Sequence, residues 1–181
     1  MRKDAIDNKS KILKATQELL HQNGQQKIKM TEIARAANVG VGTLYRNYGD
    51  KNELYLDLLY SKLDEFIDQQ SELLTQSVIT SEEFRTVLYQ FIKFRESRMK
   101  IFDEIQFSSS IFYHKEDYQR LSGLFTYLFQ HLQNTNNQQN AQFKADMLIA
   151  TLRNDSYAFQ RQQRKMPVKN LLDNLCELFG V

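Results

Sequence analysis

The sequence predicts an all-α protein, and three observations support this fold class. Only one of its 181 residues is proline, Pro167, and only six are glycine. No glycine or proline occurs between Asp50 and Ser122, where Leu, Glu, Gln, Lys and Arg are abundant. These residues favour helix, and the stretch lacks the turn residues that hairpins need. Apolar residues also recur at intervals of three and four, which indicates amphipathic helices.

The chain begins with two predicted helices and a tight turn. The first helix covers about residues 9–23, and Gly24 ends it as a left-handed glycine. The second covers residues 30–37. Asn38 and Gly40 follow it and both tolerate positive φ, so a turn of three to four residues fits here. The residues that define the inner faces of these helices are Ile12, Ala15, Thr16, Leu19, Leu20, Met30, Ile33, Ala34 and Ala37.

A third short helix is predicted at residues 41–48, and a long fourth helix follows it directly. Gly49 ends the third helix, while Asp50 and Glu53 form a capping box for the fourth, which extends to about Thr75. The inner face of the third helix is predicted to consist of Val41, Leu44 and Tyr48. Two short helices joined by a tight turn, with a packing helix before them, make a helix-turn-helix unit.

The rest of the chain predicts five further helices, which gives about nine in all. They start near Ser81 and cover about residues 99–107, 112–131, 141–164 and 168–179. Pro167 fits the first turn of the last helix, and the Asn- and Gln-rich segment 133–142 is predicted to be a loop. We expect a helix-turn-helix domain of residues 1–52, followed by a helical C-terminal domain of residues 53–181.

The charge divides the chain at the same place. Residues 1–54 carry ten Lys or Arg against six Asp or Glu, a balance of +4; residues 55–181 carry fourteen against sixteen, a balance of −2, which together give the net +2. This asymmetry is expected where only the first domain meets a polyanion such as nucleic acid. The predicted short helix suits this interpretation, because the major groove of DNA is about 12 Å wide and admits one α-helix.

The composition disfavours several other classes of protein. The single cysteine, Cys176, can form neither an internal disulfide nor a thiolate zinc cluster. His21, His114 and His131 are scattered, and no zinc-protease, serine-hydrolase or nucleotide-loop motif is present. We therefore expect no enzyme, no cofactor and no metal. The polar N-terminus and the absence of an apolar run of about 20 residues predict a cytoplasmic protein without a membrane segment.

Two alternatives to a DNA-binding protein remain open from the residues alone. One is an enzyme, and the other is a helical interaction module that keeps the helix-turn-helix shape without affinity for DNA. Salt-dependent binding to a duplex favours the DNA-binding function, whereas a flat salt response favours the module.

The segment IARAANVGVGTLYRNYGDKNEL carries an ordered set of spaced residues. The set comprises Ile33, Ala34, Ala37, Val39, Gly42, Thr43, Leu44, Tyr45, Tyr48, Lys51 and Leu54, with Ile12, Ala15, Leu19, Leu20 and Gly24 in the first helix. It resembles the N-terminal signature of TetR-type transcriptional regulators over about residues 9–60. The resemblance implies a homodimer that represses transcription from an inverted-repeat operator in double-stranded DNA and is released by a small-molecule effector.

The resemblance also implies roles for individual residues. Tyr45 and Lys51 would bind phosphate, and Thr43 would contact phosphate or a base edge. Arg46 suits guanine and Asn47 suits adenine, with a plain solvated helix face as the alternative for both. The implied DNA-contacting set is Lys29, Thr31, Val41, Gly42, Thr43, Tyr45, Arg46, Asn47 and Lys51.

The sequence departs from the family pattern at four positions near this set. Asn38 replaces a turn glycine, a mild change because Asn tolerates the left-handed conformation. Gly40 lacks the side-chain acceptor of the usual capping serine. Val41 stands where many members carry a basic residue, and Lys29 stands where a threonine often caps the second helix.

The resemblance places an effector site in the C-terminal domain, where the central helices are rich in aromatic residues. Its candidate residues are Phe91, Phe94, Phe102, Ile105, Phe112, Phe125, Tyr127 and Phe129, with ordinary core packing as the alternative for each. Asp103, Glu104 and Asp155 are either balancing charges for a cationic ligand or ordinary exposed carboxylates.

Dimerisation is implied through the last two long helices. The candidate interface residues are Phe143, Met147, Thr151, Leu171, Leu172 and Leu175, which alternatively cover the core of their own chain. An effector that prefers the conformation unable to bind DNA would shift the fourth helix and move the paired recognition helices out of register.

Overall fold

A computed structural model describes residues 2–22, 28–75, 78–97, 116–133 and 138–181, and within these ranges the chain is helical and forms no strand. Nine α-helices lie in the described ranges: α1 (Arg2–Gln22), α2 (Met30–Ala36), α3 (Val41–Asn47), α4 (Lys51–Leu74), α5 (Ser81–Ser97), α6 (Glu116–Gln133), α7 (Gln138–Thr151), α8 (Asn154–Ala158) and α9 (Val168–Phe179). A π-helical turn, Phe159–Gln163, continues α8. The predicted all-α class is confirmed.

Several helix boundaries differ from the prediction, among them the start of α7 at Gln138, inside the segment 133–142 that was predicted to be a loop. Helix α1 begins at Arg2 rather than near residue 9, because its first turns are polar and carry no apolar period to reveal them. The helix predicted at 141–164 is interrupted after Thr151, where the Leu152 and Arg153 N–H groups bond three residues back and Arg153 becomes extended. The helix predicted at 99–107, the start of the one at 112–131 and Gly24 lie outside the described residues.

The chain divides into two compact units, and the division falls between Lys62 and Leu63, within α4. The N-terminal unit contains α1 to α3 and the first half of α4. Helix α1 packs on α2, and α2 packs on α3. The buried residues of this unit include Ile12, Ala15, Thr16, Ile33, Ala34, Leu44, Tyr48, Leu54, Tyr55 and Leu58.

The prediction that Val41 faces inward is wrong, because its side chain is 44% exposed. In a helix each side chain covers the turn that precedes its own Cα atom. Val41 is the first residue of α3, so it has no preceding helical turn to cover. Leu44 and Tyr48, the other two residues predicted to face inward, are buried as expected.

The C-terminal unit has a core rich in aromatic rings. The Phe84 and Phe129 ring centroids lie 4.7 Å apart, and Phe91 meets Phe125 edge-on at 5.6 Å. Helices α6 and α7 pack against each other, and α9 packs on both α5 and α7. Arg120 on α6 pairs with Asp64 and with Asp68 of α4, the latter at 2.6 Å.

None of the helices within the described ranges is long and apolar enough to cross a membrane.

Candidate nucleic-acid interface

The turn between α2 and α3 is closed by backbone hydrogen bonds. The Ala37 N–H group donates to the carbonyl of Ile33 at 2.8 Å, and the Val39 N–H group donates to Ala34 at 3.0 Å. Asn38 takes positive φ, 53°, as its side chain permits. Gly40 was also expected to tolerate positive φ, but it is extended, at φ −63°, and precedes α3 without a side-chain cap. A single left-handed residue therefore makes this turn.

Lys29 and Thr31 lie exposed at the start of α2. Lys29 is extended and provides no side-chain cap, as its residue type predicts. The carboxylate of Glu32 caps this end instead, because its Oε2 accepts a hydrogen bond from the Lys29 N–H group at 2.7 Å. The Glu32 carboxylate is thus engaged with the backbone of Lys29, and the Lys29 residue itself is exposed at the protein surface.

Tyr48 fixes the C-terminal end of α3 to two other helices. Its hydroxyl donates to Asp57 Oδ2 on α4 at 2.6 Å, and the same oxygen lies 3.1 Å from Lys9 Nζ on α1. Burial, followed by the hydrogen bond to Asp57, raises the pKa of Tyr48 well above its ordinary value, so the hydroxyl keeps its proton. Sequence reasoning assigned Tyr48 to the core but missed this network. The one signal in the sequence was that this inward-facing residue carries a hydroxyl group.

Helix α4 starts immediately after α3 and has the predicted cap. The Asp50 Oδ1 atom accepts from the Glu53 N–H group at 2.8 Å, and Glu53 Oε2 accepts from the Gly49 N–H group at 2.7 Å. Lys51 lies in the first turn, with its Nζ 5.3 Å from the ring centroid of Tyr55. The two carboxylates nearest to Lys51 in sequence are thus bound to backbone N–H groups.

The outer surface of α3 consists of three rows of residues spaced four apart. The rows are Val41 with Tyr45, Gly42 with Arg46, and Thr43 with Asn47. Val41 and Tyr45 are 44% and 49% exposed, and Gly42 and Arg46 are also exposed. A Cβ atom added to Gly42 would meet no atom within 4 Å. We call these six residues the α3 outer face.

Two polar side chains of the α3 outer face bond within their own helix. Arg46 Nη2 donates to Thr43 Oγ1 at 2.9 Å, and Asn47 Nδ2 donates to the Thr43 carbonyl at 2.8 Å. Thr43 therefore orients both residues that were expected to contact bases. The structure brings Thr43, Tyr45, Arg46 and Asn47 to the one surface on which the sequence predicts them.

The residues predicted to form the effector site occupy several different environments. Phe91, Phe125 and Phe129 are buried in the core, and the partly buried Phe94 packs on Phe66 at 5.2 Å. Tyr127 is 38% exposed, and its ring centroid lies 3.9 Å from that of His131. Phe102, Ile105, Phe112, Asp103 and Glu104 lie outside the described residues, and Asp155 is exposed.

The residues predicted at the dimer interface divide into two groups. Phe143 and Met147 on α7 are 64% and 41% exposed, and Thr151 is half-buried. Leu171, Leu172 and Leu175 on α9 are buried in the core of their own unit. Leu178, which belongs to the same predicted apolar surface, is 69% exposed. Phe143, Met147 and Leu178, and not the three buried leucines, are therefore the exposed large apolar residues of α7 and α9.

A buried polar cluster near α8 was not foreseen from the sequence. Arg95 is 4% exposed, its Nε donates to the Leu152 carbonyl at 2.6 Å, and its guanidinium lies 4.0 Å from the ring centroid of Tyr157. Arg161 pairs with Glu96 at 2.7 Å. Burial and the charge of Glu96 raise the pKa of Tyr157 to about 12.

The structure shows no metal-ligand cluster in the described parts of the chain, in which no group of three His, Cys, Asp or Glu side chains is close enough to hold an ion. Cys176 is buried in the C-terminal core, and burial raises the pKa of its thiol. The thiol is consequently protonated and shielded, which is the opposite of a reactive nucleophile.

Comparison with known proteins places the helix-turn-helix unit in a family. Residues 12–58 match the sequence profile described as bacterial regulatory proteins, tetR family. The chain is 27% identical, over 99% of its own length and 96% of the other protein, to an HTH-type transcriptional regulator of Staphylococcus aureus strain bovine RF122 / ET3-1.

Two solved structures share the fold along almost the whole chain. One is the FadR repressor of Thermus thermophilus in complex with lauroyl-CoA, with a TM-score of 0.72, 18% identity and coverage of 94% of this chain and 92% of that one. The other is FadR of Bacillus subtilis in complex with stearoyl-CoA, with a TM-score of 0.60, 16% identity and coverage of 94% and 96%. The helix-turn-helix unit therefore belongs to the tetR family of bacterial regulatory proteins, and the chain is similar to HTH-type transcriptional regulators along nearly its whole length.

Proposed function

We propose that the protein is a homodimeric repressor that binds an inverted-repeat operator and is released by a small-molecule effector. The observation that carries this proposal is the α3 outer face. It lies on a seven-residue helix that Leu44 and the adjacent Tyr48 anchor in the core of the N-terminal unit. Such a helix fits the major groove, and the helix before it crosses the DNA backbone.

Each residue of the interface then has a role. Tyr45 and Lys51 bind phosphate, with Lys29 and Thr31 adding contacts at the start of α2. Arg46 and Asn47 read base edges from the orientation that Thr43 gives them. Gly42 lets the DNA backbone approach the helix closely, because no side chain stands there.

Two copies are needed because one short recognition helix buries little surface. On a two-fold axis the paired helices would read successive major grooves about 34–36 Å apart, which corresponds to an inverted repeat. The exposed side chains of Phe143, Met147 and Leu178 supply an apolar surface for the contact between copies. Burying such side chains against a second copy provides the driving force for association.

The effector that we propose is an amphipathic molecule with a long apolar tail. Support comes from the FadR proteins of Thermus thermophilus and Bacillus subtilis, which share the fold and were solved with acyl-CoA molecules bound. The aromatic rings of the C-terminal unit, among them Phe91 and Phe125, give this unit an apolar interior, as an acyl-chain ligand would require.

Helix α4 is the element through which the effector would act. It begins four residues after the end of α3, and its C-terminal half is tied to α6 by Arg120 and to α5 by the hydrogen bond of Gln70 to Gln90 at 2.8 Å. An effector that rearranged α5 or α6 would therefore act on α4. To switch binding, it must favour the released conformation by a few kcal/mol.

DNA binding is tested with a pool of random duplexes. Purified protein is expected to enrich an inverted repeat, and log K for that site is expected to fall linearly with log salt, by about 0.9 for each phosphate neutralised. Light scattering is expected to give two protein chains per duplex. Enrichment of no sequence together with a flat salt response would instead identify the chain as an interaction module.

The effector is tested on the protein–DNA complex. Lauroyl-CoA and stearoyl-CoA are each titrated while the anisotropy of a labelled operator is followed, and CoA alone serves as the matched control. Release by the acyl-CoA molecules but not by CoA supports the proposed class. Operator affinity unchanged by either acyl-CoA would overturn this effector class and leave the proposed DNA binding intact.

A further inference from the structure

The two outer rows of α3 differ in chemistry. Thr43 and Asn47 are polar and half-buried, and hydrogen bonds within the helix occupy the Thr43 carbonyl and one Asn47 N–H group. Val41 and Tyr45 are the exposed large apolar residues of α3, and four residues separate them, so they form one continuous apolar strip. We call Val41 and Tyr45 the apolar row.

The described residues of the N-terminal unit leave nearly half of the surface of Val41 and Tyr45 exposed. Val41 is 44% exposed although the domain buries Leu44 completely three residues later. A β-branched residue at an exposed helical position also has a lower helix propensity than Lys or Arg, so local folding does not favour valine there. The leading residues of a recognition helix are those that meet base edges in the groove.

We propose that Val41 determines sequence preference by packing against the C5-methyl group of a thymine, with the Tyr45 ring at its side. This inference rests on the proposed DNA binding and names the base chemistry that the α3 outer face recognises. In the major groove the thymine methyl is the one apolar group that a base pair presents, and apolar side chains recognise it. Valine makes no hydrogen bond, so cytosine in place of thymine would offer it a polar amino group and no methyl.

The experiment separates the methyl group from every other feature of the site. Random-duplex selection with the wild-type protein first gives the preferred operator, and each thymine in a half-site is then replaced in turn by deoxyuridine, which lacks only the methyl group. At one position in each half-site the replacement is expected to weaken wild-type binding roughly fourfold, the effect of one buried methyl-sized group. The Val41→Ala variant is expected to bind the thymine and uracil operators equally.

Two controls make the result specific. Lys51→Ala removes a proposed phosphate contact, so it is expected to weaken binding to both operators while keeping the fourfold difference between them. Thermal unfolding of Val41→Ala is expected to match or exceed that of the wild type, because an exposed valine is exchanged for the best helix former.

Each remaining outcome has a definite meaning. A full uracil effect retained in Val41→Ala would overturn the assignment to Val41, and the absence of any uracil-sensitive position would overturn methyl recognition altogether. In both cases the operator would still be bound, so the proposed DNA binding would stand. Selection of no duplex by the wild-type protein would overturn the proposed function and this inference with it.

Discussion

At Tyr48 one hydroxyl group joins three helices of the DNA-binding unit. The ring fills the core beneath α3, as a phenylalanine would, while the oxygen bonds Asp57, which also pairs with Lys9. The hydrogen bond to a carboxylate is stronger than one between neutral groups. The position of α3 therefore depends on a polar contact as well as on apolar packing.

Replacing Tyr48 by Phe removes this hydroxyl and leaves the ring. We expect the free energy of unfolding to fall by about 1–2 kcal/mol, measured by urea denaturation, because the lost bond has a charged acceptor. Operator affinity is expected to fall severalfold as α3 becomes less firmly held. The matched control is Tyr89→Phe on the exposed surface of α5, which should change neither quantity. Equal effects of the two variants would contradict this role for Tyr48.

The same hydroxyl makes stability depend on alkaline pH. The pKa of Tyr48 is raised in the folded state and is about 10 in the unfolded state, so above pH 10 the folded chain binds more protons than the unfolded chain. Stability must then fall as pH rises. Between pH 9 and pH 11 the wild type is expected to lose about 1 kcal/mol more than Tyr48→Phe, as urea midpoints at each pH would show. Parallel losses would argue against a raised Tyr48 pKa.

A substitution at Gly42 is expected to change stability and DNA binding in opposite directions. Gly42→Ala introduces a Cβ atom into open space, so we expect the helix to gain up to about 1 kcal/mol in thermal unfolding. Affinity for the operator is expected to drop because the new methyl group stands where the DNA backbone approaches. Gly123→Ala is the control, since that glycine is equally open but lies on α6. If both variants bound DNA like the wild type, close approach at Gly42 would be excluded.

Among the elements, α2 and α3 were the most predictable, because their limits are set locally. Asn38 makes the turn through its own positive φ angle. Leu44 and Tyr48, which the apolar spacing predicts to face inward, are buried. The interruption between α7 and α8 could not be foreseen. It arises from backbone bonds at Leu152 and from the contact of its carbonyl with Arg95, which is 57 residues distant.

The elements α3 and α4 are expected to contribute different kinds of contact. Lys51→Ala, on α4, should weaken binding to all duplexes alike and lower the salt slope by about 1. Arg46→Ala, on α3, should instead relax the preference at one base position while other positions keep theirs. Binding isotherms at several salt concentrations measure the salt slope of each variant. Selection from random duplexes, repeated with each variant, measures its base preference. Uniform loss for Arg46→Ala would assign that residue to phosphate binding.

For the whole molecule, the proposed assembly depends on exposed apolar residues of the C-terminal unit. Phe143→Glu places a charge on this surface, and we expect it to shift the protein toward monomers and to lower operator affinity at least tenfold. Val78→Glu is the control, because that valine is 82% exposed but lies outside α7 and α9. Sedimentation analysis measures the association state. A dimer that persisted in Phe143→Glu would contradict the proposed interface.

The sequence predicts that the C-terminal unit is helical, but it does not predict which of its apolar residues lie in its own core. Helical spacing indicates that Leu171, Leu172 and Leu175 are inward-facing, yet it does not distinguish the core of one chain from a contact between two. The structure makes that distinction through burial. The pairing of Glu96 with Arg161 likewise joins residues 65 positions apart, which no local pattern encodes.

Because Cys176 is buried, the movement that we propose for the DNA-binding units of a dimer can be measured. The chain has one native thiol, which is enclosed and protonated, so a cysteine introduced on the surface would react first with a spin label. Ala36 is exposed on α2 and suits this exchange. Electron paramagnetic resonance would then give the distance between the two labels of the proposed dimer. The distance is measured with operator, with acyl-CoA and with neither.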